Sequence, residues 1–124
     1  MSKITKYKVS ATIAAAATTA SAYSIPVRGR ILAVGINYPT NTCTVDLDSD
    51  GEVVAQKIVD LAAANTDVVV YPRTPSQDIT GTDVTFDGTN EIYEPFVVYG
   101  RVKLSLASGT AGDTVSVELI VEEN

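Results

Sequence analysis

The chain of 124 residues has no histidine, no tryptophan, one methionine and one cysteine. Without histidine, the commonest general base and the usual neutral metal ligand are both missing. The lone Cys43 excludes an internal disulfide and any cluster of thiolates around zinc. It reads instead as a small packed hydrophobe. No apolar run approaches the roughly 18 residues of a membrane span. The G-x-S-x-G nucleophile motif and glycine-rich phosphate loops are absent too. Carboxylates such as Glu91, Glu94, Glu118 and Glu122 remain, but charges on strand faces are usually just solvated. The chain therefore reads as non-enzymatic, with no cofactor and no metal.

Acids are missing from one part of the chain. The first 45 residues hold Lys3, Lys6, Lys8, Arg28 and Arg30 and no Asp or Glu. The remaining 79 hold all fifteen acids against Lys57, Arg73, Arg101 and Lys103, so the two parts carry +5 and −11. An acidic bulk repels phosphates, and the basic part lacks an aromatic-interleaved patch, so nucleic acid is disfavoured as a partner. The division fits a solvated acidic surface, or a basic arm that docks on an acidic neighbour.

The basic start leads into V-S-A-T-I-A-A-A-A-T-T-A-S-A-Y-S (9–24), which has the outline of a secretory leader. A leader needs a strong unpatterned apolar run, and here Leu is absent while Ser10, Thr12, Thr18, Thr19 and Ser21 interrupt. At period two the pattern is cleaner. Tyr7, Val9, Ala11 and Ile13 share one face, opposite Lys8, Ser10 and Thr12, as a half-buried strand requires. Residues 1–25 are thus expected to form a basic N-terminal strand or hairpin arm, turning at Ala14–Ala17 and returning through Ala20 and Tyr23.

Strand signals continue along the chain. Pro26 and Gly29 interrupt the approach to I-L-A-V-G-I-N-Y (31–38), which suggests an edge position or a strand switching sheets. T-C-T-V-D-L-D (42–48) ends at the hairpin signal Asp50-Gly51. Residues 52–64 have partly helical spacing, but their β-branched content favours a strand. V-V-V-Y-P (68–72), a long loop through 78–90, and F-V-V-Y-G-R-V-K-L-S-L (96–106) follow. In T-V-S-V-E-L-I-V (114–121), Val115, Val117, Leu119 and Val121 make one buried face. One domain over 1–124 is expected, an all-β antiparallel sandwich, jelly-roll-like, of eight or nine short strands.

D-L-D-S-D-G (46–51) matches the first half of a calcium loop, with carboxylates at positions 1, 3 and 5 and Gly at 6. The twelfth position should be a bidentate Glu and is Lys57, a cation that repels the ion. Asp46 and Asp48 on the wet face of a strand, before an Asp-Gly turn, explain the same residues.

The chain resembles small virion structural proteins of tailed bacteriophages, the head decoration or cement proteins found beside the major capsid protein. The residues that carry the resemblance are the basic alternating start, A-S-A-Y-S-I-P-V-R-G-R-I-L-A-V (20–34), V-V-V-Y-P-R (68–73) and I-Y-E-P-F-V-V-Y-G-R-V-K-L-S-L-A-S-G (92–109). The poly-Ala turn departs from the pattern, where Gly or Asp is expected. The resemblance implies a β-sandwich or jelly roll, made in the host cytoplasm, that binds the outer surface of the head. It also implies the major capsid protein as partner and a homo-oligomer, commonly a trimer, with no membrane involved. Lys3, Lys6, Lys8, Arg28 and Arg30 become candidate capsid or subunit contacts. A tail or neck component, or an exported carbohydrate-binding module, is the rival reading. Sugar sites usually stack rings on exposed aromatics, and only Tyr and Phe are present to serve.

Overall fold

The computed structural model describes residues 2–123. Ten strands run β1 (Lys3–Thr12), β2 (Ala20–Tyr23), β3 (Val27–Asn37), β4 (Cys43–Asp50), β5 (Lys57–Ala64), β6 (Val68–Val70), β7 (Arg73–Pro75), β8 (Tyr93–Pro95), β9 (Val97–Ala107) and β10 (Thr114–Glu123). No helix occurs among the described residues. The strands form a sandwich of antiparallel sheets. One layer is ordered β1-β10-β3-β6, and the other is ordered β2-β9-β4-β5. The short strands β7 and β8, which were not expected, account for the excess over the eight or nine predicted.

The inward faces follow the period-two patterns closely. Tyr7, Val9 and Ala11 of β1 meet Val115, Val117, Leu119 and Val121 of β10, and all are buried. Val45 and Leu47 of β4, with Val98, Val102, Leu104 and Leu106 of β9, complete the opposite layer. Full burial of such side chains contributes about 1.5–3 kcal/mol each. Cys43 lies in this core, and burial, then the charge of Asp113, pushes its thiol up. It packs as a hydrophobe, as expected.

The break at Pro26 and Gly29 marks a crossing between layers. Residues 27–30 of β3 pair with 97–100 of β9, whereas residues 30–37 pair with β10. Beyond Gly100, β9 leaves β3 and pairs with β4 on one side and β2 on the other. Gly29 (φ +134) could not be another residue without a Cβ 2.2 Å from the Glu122 carbonyl oxygen. A bulge opposite Ile120 and Val121 then inserts Leu32 into β3. One extra residue reverses the facing of everything after it. Arg28 and Arg30 therefore point outward before the bulge, and Gly35 and Asn37 after it, while Ile31, Val34 and Ile36 stay buried.

Two expectations need correction. The first two strands are not a hairpin: β1 pairs along its whole length with β10, and β2 pairs with β9 in the other layer. The Ala14–Thr19 link is an arch between sheets, with Ala16 at φ 63 taking the conformation usually left to Gly. Nor is 52–56 strand. The chain loops there, with Val53 and Val54 exposed, before β5 begins at Lys57. Ser49 Oγ accepts from the Gln56 amide at 2.7 Å and closes that loop.

Residues 73–95, which include the loop expected through 78–90, form a protruding arm. β7 and β8 pair at its root, and the bridges Gln77↔Asp83 and Thr85↔Glu91 fold its remainder into two small hairpins. The root is tied to β3 through Arg73 Nη1 donating to the Leu32 carbonyl at 3.2 Å. No residue of the arm is buried. Its tips are shaped by aspartates. Asp78 Oδ1 accepts from the amides and hydroxyl of Thr80 and Thr82, and Asp87 accepts from Thr89 and Asn90. These bonds hold both carboxyls below their ordinary range.

Candidate interaction surface

The pairing of β1 with β10 changes the meaning of the basic segment. Lys3 and Lys8 face acids of the last strand, with Lys3 Nζ 3.7 Å from Glu123 and Lys8 Nζ 3.9 Å from Glu118. The charge division in sequence is thus partly closed within the molecule. Glu123 also accepts from Thr5 Oγ1 at 2.7 Å and from the Tyr7 hydroxyl. The Tyr7 and Thr5 bonds, then the charge of Lys3, hold its carboxyl below the usual range. The Tyr7 phenol is correspondingly raised, first by that bond and then by burial.

The five candidate contact residues do not share a surface. Lys6 and Lys8 project from the outer face of β1, where Lys8 borders a groove with Gly35 and Val69. Lys3, Arg28 and Arg30 instead line a second groove with Val97, Tyr99, Glu122 and Glu123. In that groove Arg28 lies opposite Tyr99 and Arg30 opposite Val97 across the β3–β9 ladder. Neither arginine has an ion pair among the described residues.

Below the groove the outer face of β9 continues through Arg101 and Lys103. The Arg101 guanidinium sits 3.9 Å from the centre of the Tyr23 ring and pairs with Asp50. Tyr23, Tyr99, Arg101, Arg28 and the exposed Ile25 form a band rich in Tyr and Arg, the side chains that dominate affinity at protein interfaces. The band rests on a firm base, because buried Ser24 donates its amide to Val102 O and accepts from Val102 N, both at 2.9 Å.

The aspartates of 46–50 lie along β4 at alternate outward positions instead of coiling around a point. Lys57 sits over two of them, 3.2 Å from Asp48 and 4.0 Å from Asp46, and Arg101 takes the third. The motif is strand as far as Asp50, and the chain then turns at Gly51 with φ +103. Asp46 faces Asp60 across the ladder, and its carboxyl is raised by burial and by the neighbouring Asp60 carboxyl, against the opposing charge of Lys57. Among the described residues no group of three His, Cys, Asp or Glu is placed to hold a metal ion.

Sequence reasoning did not single out the Tyr–Arg band or the arm. The alternation Val97, Tyr99, Arg101, Lys103 was visible as the wet face of one strand. A large apolar residue inside each turn sequence, Ile79 in D-I-T-G-T and Phe86 in T-F-D-G-T, was the other signal. Ile79 is 104% exposed and Phe86 70%. No protein-family model, no curated protein and no solved structure matches the chain.

Proposed function

We propose that the protein is a non-enzymatic virion structural module, a capsid decoration (cement) protein on the outside of a tailed-phage head. It holds the major capsid protein through broad surfaces and works as a homo-oligomer, most simply a trimer. What carries this reading is the exposed apolar and aromatic surface on the arm and along β9, on a sandwich whose own core is already complete. Contiguous exposed apolar surface marks interaction sites. Each such side chain, once covered, contributes about 1.5–3 kcal/mol, against about 0–1 kcal/mol for an exposed ion pair. Apolar contact therefore supplies the affinity, while the charges select the partner and make attachment salt-sensitive. The resemblance to virion proteins supplies the head as the setting, and two of the segments that carry it, 20–34 and 92–109, include Tyr23, Ile25, Arg28, Tyr99 and Arg101 of the exposed band.

The test is to purify particles from cells that make the protein, separate heads from tails and assay each by mass spectrometry. The expected result is co-purification with the head shell. Its absence from particles overturns the proposal, and recovery with tails alone moves the protein to the tail.

A further inference from the structure

We propose that the 73–95 arm of one copy docks in the Arg28–Arg30–Tyr99 groove of a second copy. This goes beyond the proposed function, since it concerns how copies join each other and not which shell they bind. The arm carries Asp78, Asp83, Asp87, Glu91 and Glu94 against Arg73 alone, a net of −4. The whole chain carries −6, so everything outside the arm carries only −2. The groove is where Lys3, Arg28 and Arg30 converge, and its own acids lie to one side on β10. Of those acids, Glu123 is engaged by Lys3, Thr5 and Tyr7. Arg28 and Arg30 have no ion pair among the described residues, with Glu122 opposite Arg30 across the β10–β3 ladder, and they stand beside the exposed Tyr99 and Val97.

The apolar parts match as well. Ile79 and Phe86 stand out from the arm, and exposed Tyr99 and Val97 lie opposite Arg28 and Arg30 across the β3–β9 ladder. Aspartate-centred turns and two hairpins preorganise the arm, which lowers the entropy lost on docking. The arm does not fill its own groove: it leaves the body after β6 and returns into β9, its root bonded to β3, and no residue of 73–95 lines the groove. Contact between an arm and a different surface is head-to-tail, and it closes into a ring when the rotation between copies divides a full turn.

Light scattering and sedimentation of the full chain read the outcome. Wild type is expected to self-associate, more weakly as salt rises. Reversal of the groove in R28E/R30E, or of the arm in D83K/E91K, is expected to weaken association on the order of a hundredfold, because like charges then face each other. One chain carrying all four substitutions is expected to associate again. Should the groove variant unfold by circular dichroism, the arm variant gives the same reading, since its changes touch nothing buried. A wild type that stays monomeric at high concentration overturns the proposal, as does association indifferent to either reversal or lack of rescue in the fourfold variant. Co-purification with particles is a separate measurement, so each proposal can fail alone.

Discussion

The sandwich body and the 73–95 arm are built on opposite principles. The body orders itself by burial: its strands turn Val, Ile and Leu inward, and Val98, Leu104 and Leu119 reach 0% exposure. The arm buries nothing and is shaped by aspartates accepting from amides two to four residues ahead. A segment of that kind adds little to global stability. It also leaves its apolar side chains available. The difference teaches that stability and recognition are assigned to separate stretches of one chain.

The comparison can be broken most severely in the core. Leu104→Ala, at a fully buried position of β9, is expected to cost about 2–5 kcal/mol, read as a lower urea midpoint. Gly29→Ala comes next. Backbone strain at positive φ costs roughly 1–3 kcal/mol, and the clash with the Glu122 carbonyl adds to it. A stability equal to wild type would show that the β3–β9 crossing can relax.

Asp46→Asn tests electrostatics on the outer face of the body. The folded-state pKa of Asp46 is raised, so the native state binds more protons than the unfolded one between the unfolded value near 3.8 and the raised value. Ionised Asp46 therefore destabilises the fold above that window, and the penalty fades as pH falls through it. The Asn variant is expected to melt higher than wild type at pH 7, with the gap closing towards pH 4. A gap that widens on acidification would reverse the assignment.

The smallest global effect belongs to the arm. Asp87→Ala removes acceptors from the second tip and is expected to leave the global urea midpoint close to wild type. Amide exchange should speed up at Thr89 and Asn90 while core amides of β9 stay unchanged. A cooperative loss of core protection would mean that arm and body are one folding unit.

The fold was largely legible because a strand's facing is a local property. Tyr7, Val9 and Ala11, or Val115 to Val121, alternate in sequence and are buried as read. The break at Gly29 was also local, since no other residue adopts its φ so readily. Strand identity was lost at 52–56, where β-branched Val53 and Val54 sit in a loop because the bulged β4–β5 ladder begins later, and at the short strands β7 and β8, which were not expected.

Pairing was not legible, because hydrogen bonds join residues far apart in the chain. Lys3 meets Glu123 and Lys8 meets Glu118 only because β1 lies beside β10, which turned an apparently free basic arm into a largely paired edge strand. The same topology separates Lys6 and Lys8 from Arg28 and Arg30. The sequence by itself determined an all-β sandwich and its inward faces, because apolar alternation specifies which side of a strand avoids water. Only the tertiary structure decided which charges remain unpaired and which aromatics share a surface. Those depend on strand order, and strand order is set by the packing of the whole core.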